Sequence, residues 1–303
     1  MKEKRRLFVA IDILYICMMV LPLVAGLVIR ILTAPATEGI SITGARILFT
    51  SPMPIQDLLI TEAQINSWLV MISITGLCLY LSHGLRVRNV SNRQHLAEWI
   101  VEKLDGMVRE SMGEFFLGFS PFIGAILILS AVSSLSSLLG IYAPTSDVNV
   151  VAGWGILVFI LITYYKLKGG LPNYLKGYTE PIAVMLPLNI LSEIATPVSM
   201  TFRHYGNVLS GSVIAVLIAA ALQGLSSLVF GWLPGFLGDI PFLQIGLPAI
   251  LSLYFDVFSS CMQAYIFAML TMLNISGGFP QELYEKRMEK KLAKKKQKTV
   301  EAN

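Results

Sequence analysis

An arginine lies inside an apolar stretch of this chain. Leu186 to Ile218 reads LPLNILSEIATPVSMTFRHYGNVLSGSVIAVLI, long enough to cross a membrane, with Arg203 near its middle. Arginine keeps its proton at any physiological pH. Placing it at the centre of a membrane helix costs about 2.5–3.5 kcal/mol on insertion scales. A chain retains such a residue when the charge has a partner or a task. Asn207 and Ser210 follow at i+4 and i+7, so the three share one helical face. Gly206 and Gly211 thin the helix nearby and admit a second backbone. On the last apolar run Asp256, Ser260 and Gln263 repeat that spacing, and Asn274 extends the face. Two polar stripes on two apolar helices predict an ion pathway, because intramembrane charges usually mark one. A buried structural Arg203–Asp256 pair is the alternative.

Other chemistry has little support. Cys17, Cys78 and Cys261 all lie in apolar runs at no metal-ligand spacing and read as small buried hydrophobes. His83, His95 and His204 are scattered, with no HExxH. No metal site and no cofactor is expected. There is no Walker motif, GxGxxG or GxSxG, so the chain is expected to hold no nucleotide site of its own, and nothing points to nucleic acid.

The elements that carry the stripes are membrane helices. The 303 residues are 55% hydrophobic and 14% charged, with mean hydropathy +0.68. Soluble domains carry about 25% charged residues. The apolar runs have helical length and lack the alternation of barrel strands. Leu7–Leu32, interrupted by Asp12 and Pro22, follows the basic cap Met1–Arg6. It is longer than the apolar core of a signal peptide, about 7–15 residues, and reads as an uncleaved membrane helix. Thr33–Glu62 reads as a polar loop, and Ile65–Leu81 as the second span. In His83–Glu114 the residues Leu96, Ile100, Leu104, Met107 and Val108 recur at helical spacing among charges, which predicts an amphipathic surface helix. Phe115–Ile141 is the third span and holds Ser130, Ser133, Ser134, Ser136 and Ser137, either packing glue or a channel lining. Tyr142–Asn149 reads as a turn, Val150–Tyr165 as the fourth span, and Gly169–Glu180 as a loop. The arginine-bearing run continues to Phe230. A loop, Gly231–Pro241, leads to the last run, Phe242–Leu273. The basic tail Gln281–Asn303 reads as a solvated helix.

Lys and Arg cluster at Met1–Arg6, Arg86–Arg109, Lys166–Lys176 and Lys286–Lys298, while the intervening loops on the other side hold only Arg46. The positive-inside rule puts all four clusters, and both termini, in the cytoplasm. The expected fold is an all-α integral membrane protein of about six helices. Its expected parts are an N-terminal helix and external loop (1–62), a channel domain (63–280) and a basic tail (281–303). The proline-free run Val198–Phe230 would be about 50 Å long at 1.5 Å per residue, against a hydrocarbon core of about 30 Å. The last run is also too long for an upright span. These two helices are expected to lie oblique and to pack as a hairpin.

PVSMTFRHYGN (Pro197–Asn207) with the following LSGS, and QAYIFAMLTMLNIS (Gln263–Ser276), resemble subunit a of the F-type ATP synthases. Pro197, Ser199, Arg203, Gly206, Asn207, Gly211 and Gln263 match that family's motif in place, and PTSDVNV (Pro144–Val150) is similar to a further segment. The resemblance runs from Pro144 to Ser276, is weaker over Ile65–Ile141, and does not extend to Met1–Thr61. It implies an ion-conducting stator in the cell (inner) membrane, with two offset half-channels. Its partners would be a rotating c-subunit ring, each hairpin carrying one carboxylate, and the b subunits of the peripheral stalk. Arg203 would face that carboxylate, since a positive charge within about 4–6 Å favours the ionised form. The ion, proton or sodium, would pass along Asp256, Gln263, Asn207, Ser210, Ser212, Ser260, Ser134, Ser137 and Glu193.

The chain departs from the family at several of these positions. Ser212 stands where many members have Glu, and Asp256 where they have His. Ser134 and Ser137 stand where many have Asn and Asp. Glu193 lies ten residues before Arg203, whereas the more usual Glu would fall at Asn189. His204 replaces a common Leu and points about 100° away from Arg203, so a packing or interface role is expected of it rather than catalysis. The competing function is a secondary transporter for a small ion built on an Arg/Asp pair. Such a transporter should show inverted repeats, and the arginine motif has no second copy.

Overall fold

The computed structural model describes residues 2–33, 44–54, 57–87, 90–168, 170–179, 183–230, 250, 253–282 and 284–285. Among the described residues six helices are long and apolar enough to cross a membrane, so the chain is an all-α multi-pass membrane protein. Five expected spans are described over their length and the last from Leu253 on; the first, second and fourth run a few residues longer than the apolar runs suggest.

Helix α1 (Lys2–Leu32) packs along α2 (Glu62–Ser82). Gly76 permits the contact, because a Cβ there would lie 2.8 Å from the Met19 nitrogen. Ser73 Oγ donates to the Met19 carbonyl at 2.6 Å. Asp12 does not interrupt α1; it fastens it. Its Oδ1 accepts from Arg93 at 2.9 Å and lies 3.0 Å from His83 Nδ1. Arg93 also stacks over Tyr80, 4.7 Å from the ring centroid.

Two expected loops contain regular structure. Within Thr33–Glu62, the strands β1 (Ile47–Ser51) and β2 (Leu58–Thr61) form an antiparallel hairpin. Its strands are apolar and β-branched residues such as Ile47, Phe49 and Ile60, and Pro52 and Pro54 lie in the turn region, where a missing N–H is harmless. Within Gly169–Glu180, the short helix α6 (Leu171–Thr179) forms after Gly170. Gly170 adopts φ +104° and its N–H caps the Leu167 carbonyl, turning the chain back.

The amphipathic helix is α3 (Asn92–Met112). Ser91 caps its start by accepting from the Gln94 N–H, and Gly113 at φ +87° ends it. A 3₁₀ turn (Glu114–Phe119) leads into α4 (Ser120–Leu135), which a second 3₁₀ turn (Ser136–Leu139) completes. A third 3₁₀ turn (Pro144–Ser146) precedes α5 (Val148–Lys168).

The arginine-bearing run is one helix, α7 (Leu186–Phe230), of 45 residues. At 1.5 Å per residue it is about 67 Å long, more than twice the hydrocarbon thickness of about 30 Å. It passes through Pro197 unbroken. Thr201 Oγ1 donates to the Pro197 carbonyl at 2.9 Å, the i−4 bond that a helical threonine makes to its own helix. Gly155 of α5 lets α7 approach here, since a Cβ at Gly155 would overlap Thr201 Oγ1. The last described helix starts with a π-helical turn (Leu253–Phe258) and continues as α8 (Ser259–Gly277). The expected hairpin turn between α7 and α8, most of residues 242–252, and nearly all of the basic tail lie outside the described residues.

α8 runs through the middle of the bundle, packed on α3, α4, α5 and α7. The apolar core gathers Phe267, Met272 and Ile275 of α8 with Ile123 of α4, Val158 of α5 and Met200 of α7. Stacked rings of Phe115, Phe116, Tyr165 and Phe279 close one end of it. Beside this core lies an unusual amount of buried polarity: Glu62, Asn66, Ser130, Ser133, Ser134, Thr145, His204, Ser260 and Gln263 are all at most 5% exposed.

Candidate functional site

Arg203 is exposed on α7, and so are Asn207 and Ser210. The i, i+4, i+7 face is thus exposed at all three positions, and at Asn207 and Ser210 it borders the last helix. Arg203 has no hydrogen bond or ion pair among the described residues. Asp256 has none either and is half-buried in the π-helical turn, so the two do not pair with each other. The cost of placing this charge in an apolar helix is therefore not offset by any ion pair among the described residues.

The two stripes meet at one point. Asn207 Nδ2 donates to Gln263 Oε1 at 2.6 Å, and Gln263 is 2% exposed. Gly211 is buried against Phe255, where a Cβ would lie 3.6 Å from that side chain. Gly206 faces open space, with nothing within 4 Å of a Cβ built on it. A cavity of about 230 Å³ opens between the helices, lined by Asn207, Ser210, Ser259 and Gln263 with Tyr254, Phe255 and Phe258. Asp256 does not line it. The i→i+5 winding of the π turn changes the angular spacing that an α-helix would give Asp256 relative to Ser260 and Gln263. Ser260 is buried in α8. Ser212 is exposed, and its hydroxyl donates to its own helix at the Leu209 carbonyl. Adjacent contact between Gly211 and Phe255 brings the Ser212 and Asp256 positions to the same α7–π-turn junction.

A second site lies at the N-terminal part of α7. Glu193 Oε1 is 3.2 Å from Lys166 Nζ of α5, with side-chain exposures of 7% and 30% respectively. Tyr174 donates to Glu193 Oε1 at 3.2 Å, and Tyr178 donates to Oε2. Both phenols come from α6, where they stand one turn apart. Burial holds each phenol above its usual range, and the hydrogen bond from Tyr178 to Glu193 pushes Tyr178 farther up, so both stay protonated donors. Asn189, one turn before Glu193, donates to the Tyr178 carbonyl. Together with Ser192 and Thr196 these groups line a cavity of about 390 Å³.

The serine cluster on α4 faces inward. Ser134 Oγ is 2.9 Å from Thr145 Oγ1, and Ser137 donates to the Ser134 carbonyl at 2.9 Å. Ser130 Oγ is 3.4 Å from Nε2 of His204, which is fully buried.

Three participants in this polar interior were missed by sequence reasoning. Glu62 and Asn66 are one turn apart at the start of α2, each at most 2% exposed, and each keeps an oxygen with no protein partner. Starting the second span at Ile65 left Glu62 in a loop; the i, i+4 spacing to Asn66 was the signal available. Lys166, read only as a topology charge, is the partner of Glu193.

These features define a class: a multi-helix membrane protein with an unpaired outward-facing arginine, a polar helix–helix junction beside it, and buried polar groups leading inward. The profile of the family described as ATP synthase A chain matches residues 64–276, and the chain belongs to that family. ATP synthase subunit a 2 of Bradyrhizobium sp. is 32% identical over 218 residues, covering 71% of this chain and 87% of that protein. ATP synthase subunit a 1 of Crocosphaera subtropica is 30% identical over 220 residues, covering 70% and 84%. ATP synthase subunit a of Legionella pneumophila (strain Philadelphia 1) is 28% identical over 221 residues, covering 72% and 86%. Helix α1 and the β-hairpin precede the matched region.

Proposed function

We propose that this chain is the ion-conducting stator of an F-type ATP synthase and that Arg203 is its fixed charge. Its partners are a ring of c subunits and the b subunits of the peripheral stalk, and both termini lie on the cytoplasmic side of the cell membrane. The observation that carries the reading is Arg203 itself, exposed on a membrane helix and unpaired among the described residues. A carboxylate on a passing ring subunit supplies the missing partner. The positive charge favours the ionised carboxylate, which makes the site release its proton or sodium ion to the adjoining aqueous path. The same charge repels a cation that would cross directly between the two half-channels, so passage requires rotation.

The open space beside Gly206 and the outward face of α7 suit close packing of the oblique α7–α8 pair on the ring. Glu193, with its cavity, lies on the path to one side of the membrane. Asp256 and the Ser212 junction, with Ser134, Ser137, Ser210, Ser260 and the Asn207–Gln263 bridge, belong to the path to the other. The transporter reading rested on an Arg203–Asp256 pair, and these two residues do not pair.

The test is substitution of Arg203 in the assembled complex. Arg203→Ala abolishes ion-driven ATP synthesis and lets ions leak passively, with subunit content checked by blotting. Arg203→Lys also fails to synthesise ATP at a useful rate, because a desolvated amine loses its proton readily and lacks the planar fork. Near-normal ATP-driven pumping by Arg203→Ala would overturn the mechanism.

A further inference from the structure

The cavity of about 390 Å³ beside Glu193 contains a cation that the chain itself supplies. Lys166, in the last turn of α5, brings its Nζ to 3.2 Å from Glu193 Oε1 of α7. Gly278, just past the end of α8, seats the lysine stem: a Cβ there would lie 2.9 Å from Lys166 Cε. Lys168, two residues on, takes another course and lies over the Tyr165 ring, 4.5 Å from its centroid. Of two neighbouring lysines, one rests on an aromatic surface and the other is aimed into the cavity.

The groups around that ammonium are of the kind that hold a hard metal cation, which favours carboxylate and other oxygen ligands. Glu193 supplies two carboxylate oxygens at 7% side-chain exposure. Tyr174 and Tyr178 supply two hydroxyl oxygens, and Ser192 and Thr196 line the same cavity. Both phenols stay protonated and donate to the carboxylate, Tyr174 to Oε1 and Tyr178 to Oε2, and the two hydroxyls also bond to each other. With Lys166 in place the ion pair is electrically neutral. Without it, the same oxygens would surround a nearly buried carboxylate that has lost its ion-pair partner, and such an anion recruits a cation. Arg203 does not take that place: it lies ten residues farther along α7, about 15 Å at 1.5 Å per residue, and does not line this cavity.

We propose that Lys166 is a tethered cation filling a monovalent-cation position in this cavity, so that the path on the Glu193 side admits protons and excludes sodium and potassium. The proposal rests on the stator reading above and deepens it, by naming a residue that sets which ions that side accepts. A metal cation leaving bulk water must replace the hydration it loses with protein oxygens, and the anionic ones here are already taken. It also meets a like charge at the point where it would bind. A proton is under neither constraint. It moves along the water that a polar cavity of this size holds, and Glu193 need not release Lys166 to let it pass.

The test uses the complete ATP synthase in proteoliposomes, with ATP synthesis driven by an imposed proton gradient. Sodium, potassium or choline chloride is supplied on each side in turn. Lys166→Met opens the cation position, so sodium or potassium on one side should inhibit it where choline does not. A site of about 10 mM affinity, filled at about 100 mM sodium, lowers synthesis about tenfold by mass action. Wild type and Lys168→Met, which removes a neighbouring charge outside the cavity, should show no such inhibition. Lys166→Met combined with Glu193→Gln should lose the sodium effect, because the anionic oxygens are gone. Lys166→Met that ignores both salts overturns the proposal, and so does wild type inhibited as strongly as the variant. Lys166→Gln, which keeps an amide donor toward Glu193, is read in the same way if Lys166→Met does not assemble. Arg203→Ala run alongside separates the two claims. If Arg203→Ala is inactive and leaky while the Lys166 variants ignore sodium and potassium, only the tethered cation falls; if Arg203→Ala synthesises ATP normally, the stator reading falls. Wild-type synthesis driven by a sodium gradient overturns the exclusion and leaves the stator reading intact.

Discussion

Lys166 and Glu193 give the most quantitative prediction. Their charges are 3.2 Å apart. At an effective dielectric of about 20 the bare attraction is about 5 kcal/mol, but desolvation and side-chain entropy offset most of it. Breaking a fully buried pair costs about 3–5 kcal/mol, and a fully exposed pair contributes about 0–1. Glu193 is 7% exposed and Lys166 30%, so Lys166→Met should destabilise the subunit by about 1–3 kcal/mol. Glu193→Gln should cost less, because its carbonyl still accepts from Tyr178 and the lysine left behind is partly hydrated. The double variant tests the pair directly. Its stability loss should fall short of the sum of the two single losses by about 1–2 kcal/mol, as groups in direct contact do. Tyr178→Phe removes a donor to the same carboxylate and should cost about 1.5–3 kcal/mol, the range for a hydrogen bond to a charged group. The assay is denaturant titration of the detergent-solubilised subunit, followed through tryptophan fluorescence. Additive losses in the double variant would refute the reasoning, because they would mean that the two charges do not interact.

Two further outcomes follow from the same geometry. Asp256→Asn should slow ion flux while leaving the complex assembled, and adding Ser212→Glu should recover part of the flux, since both positions adjoin the Gly211–Phe255 contact; loss of assembly in Asp256→Asn would show a structural role instead. Single cysteines at Lys4 and Lys298 should both resist a membrane-impermeant thiol reagent in intact cells, and labelling of only one would mean an odd number of spans.

The fold was legible because its signals are long and redundant. Each span is an apolar run bounded by charge or turn residues, and six of them survive small errors at their ends. What the sequence concealed was short-range. The β-hairpin at Ile47–Thr61 carries only a few alternating residues, and α6 is a nine-residue helix whose glycine and proline read as loop signals. The stripe Arg203–Asn207–Ser210 was legible from spacing alone, since α7 is regular there. The stripe through Asp256 was legible only in part, because the wider π turn changes the angular spacing that α-helical counting assumes.

The buried groups mark the deeper limit. Periodicity tells which residues share a face; it does not tell which face is covered. Counting from Arg203 put His204 on another face, where a packing or interface role was expected of it, and the residue is fully buried beside Trp154 and Phe267. Its ring also meets Ser130 of α4 and the Gln263 backbone of α8, polar neighbours that counting along one helix does not reveal. The same holds for Glu62, whose neighbours come from α2 itself and from the turn before α5, far apart in the chain. His204, Glu62 and Asp256 lie on α7, α2 and the π turn, three elements that meet only in the folded bundle. Which polar groups meet across helices is a property of packing, and for that reason it emerged only once the helices were assembled.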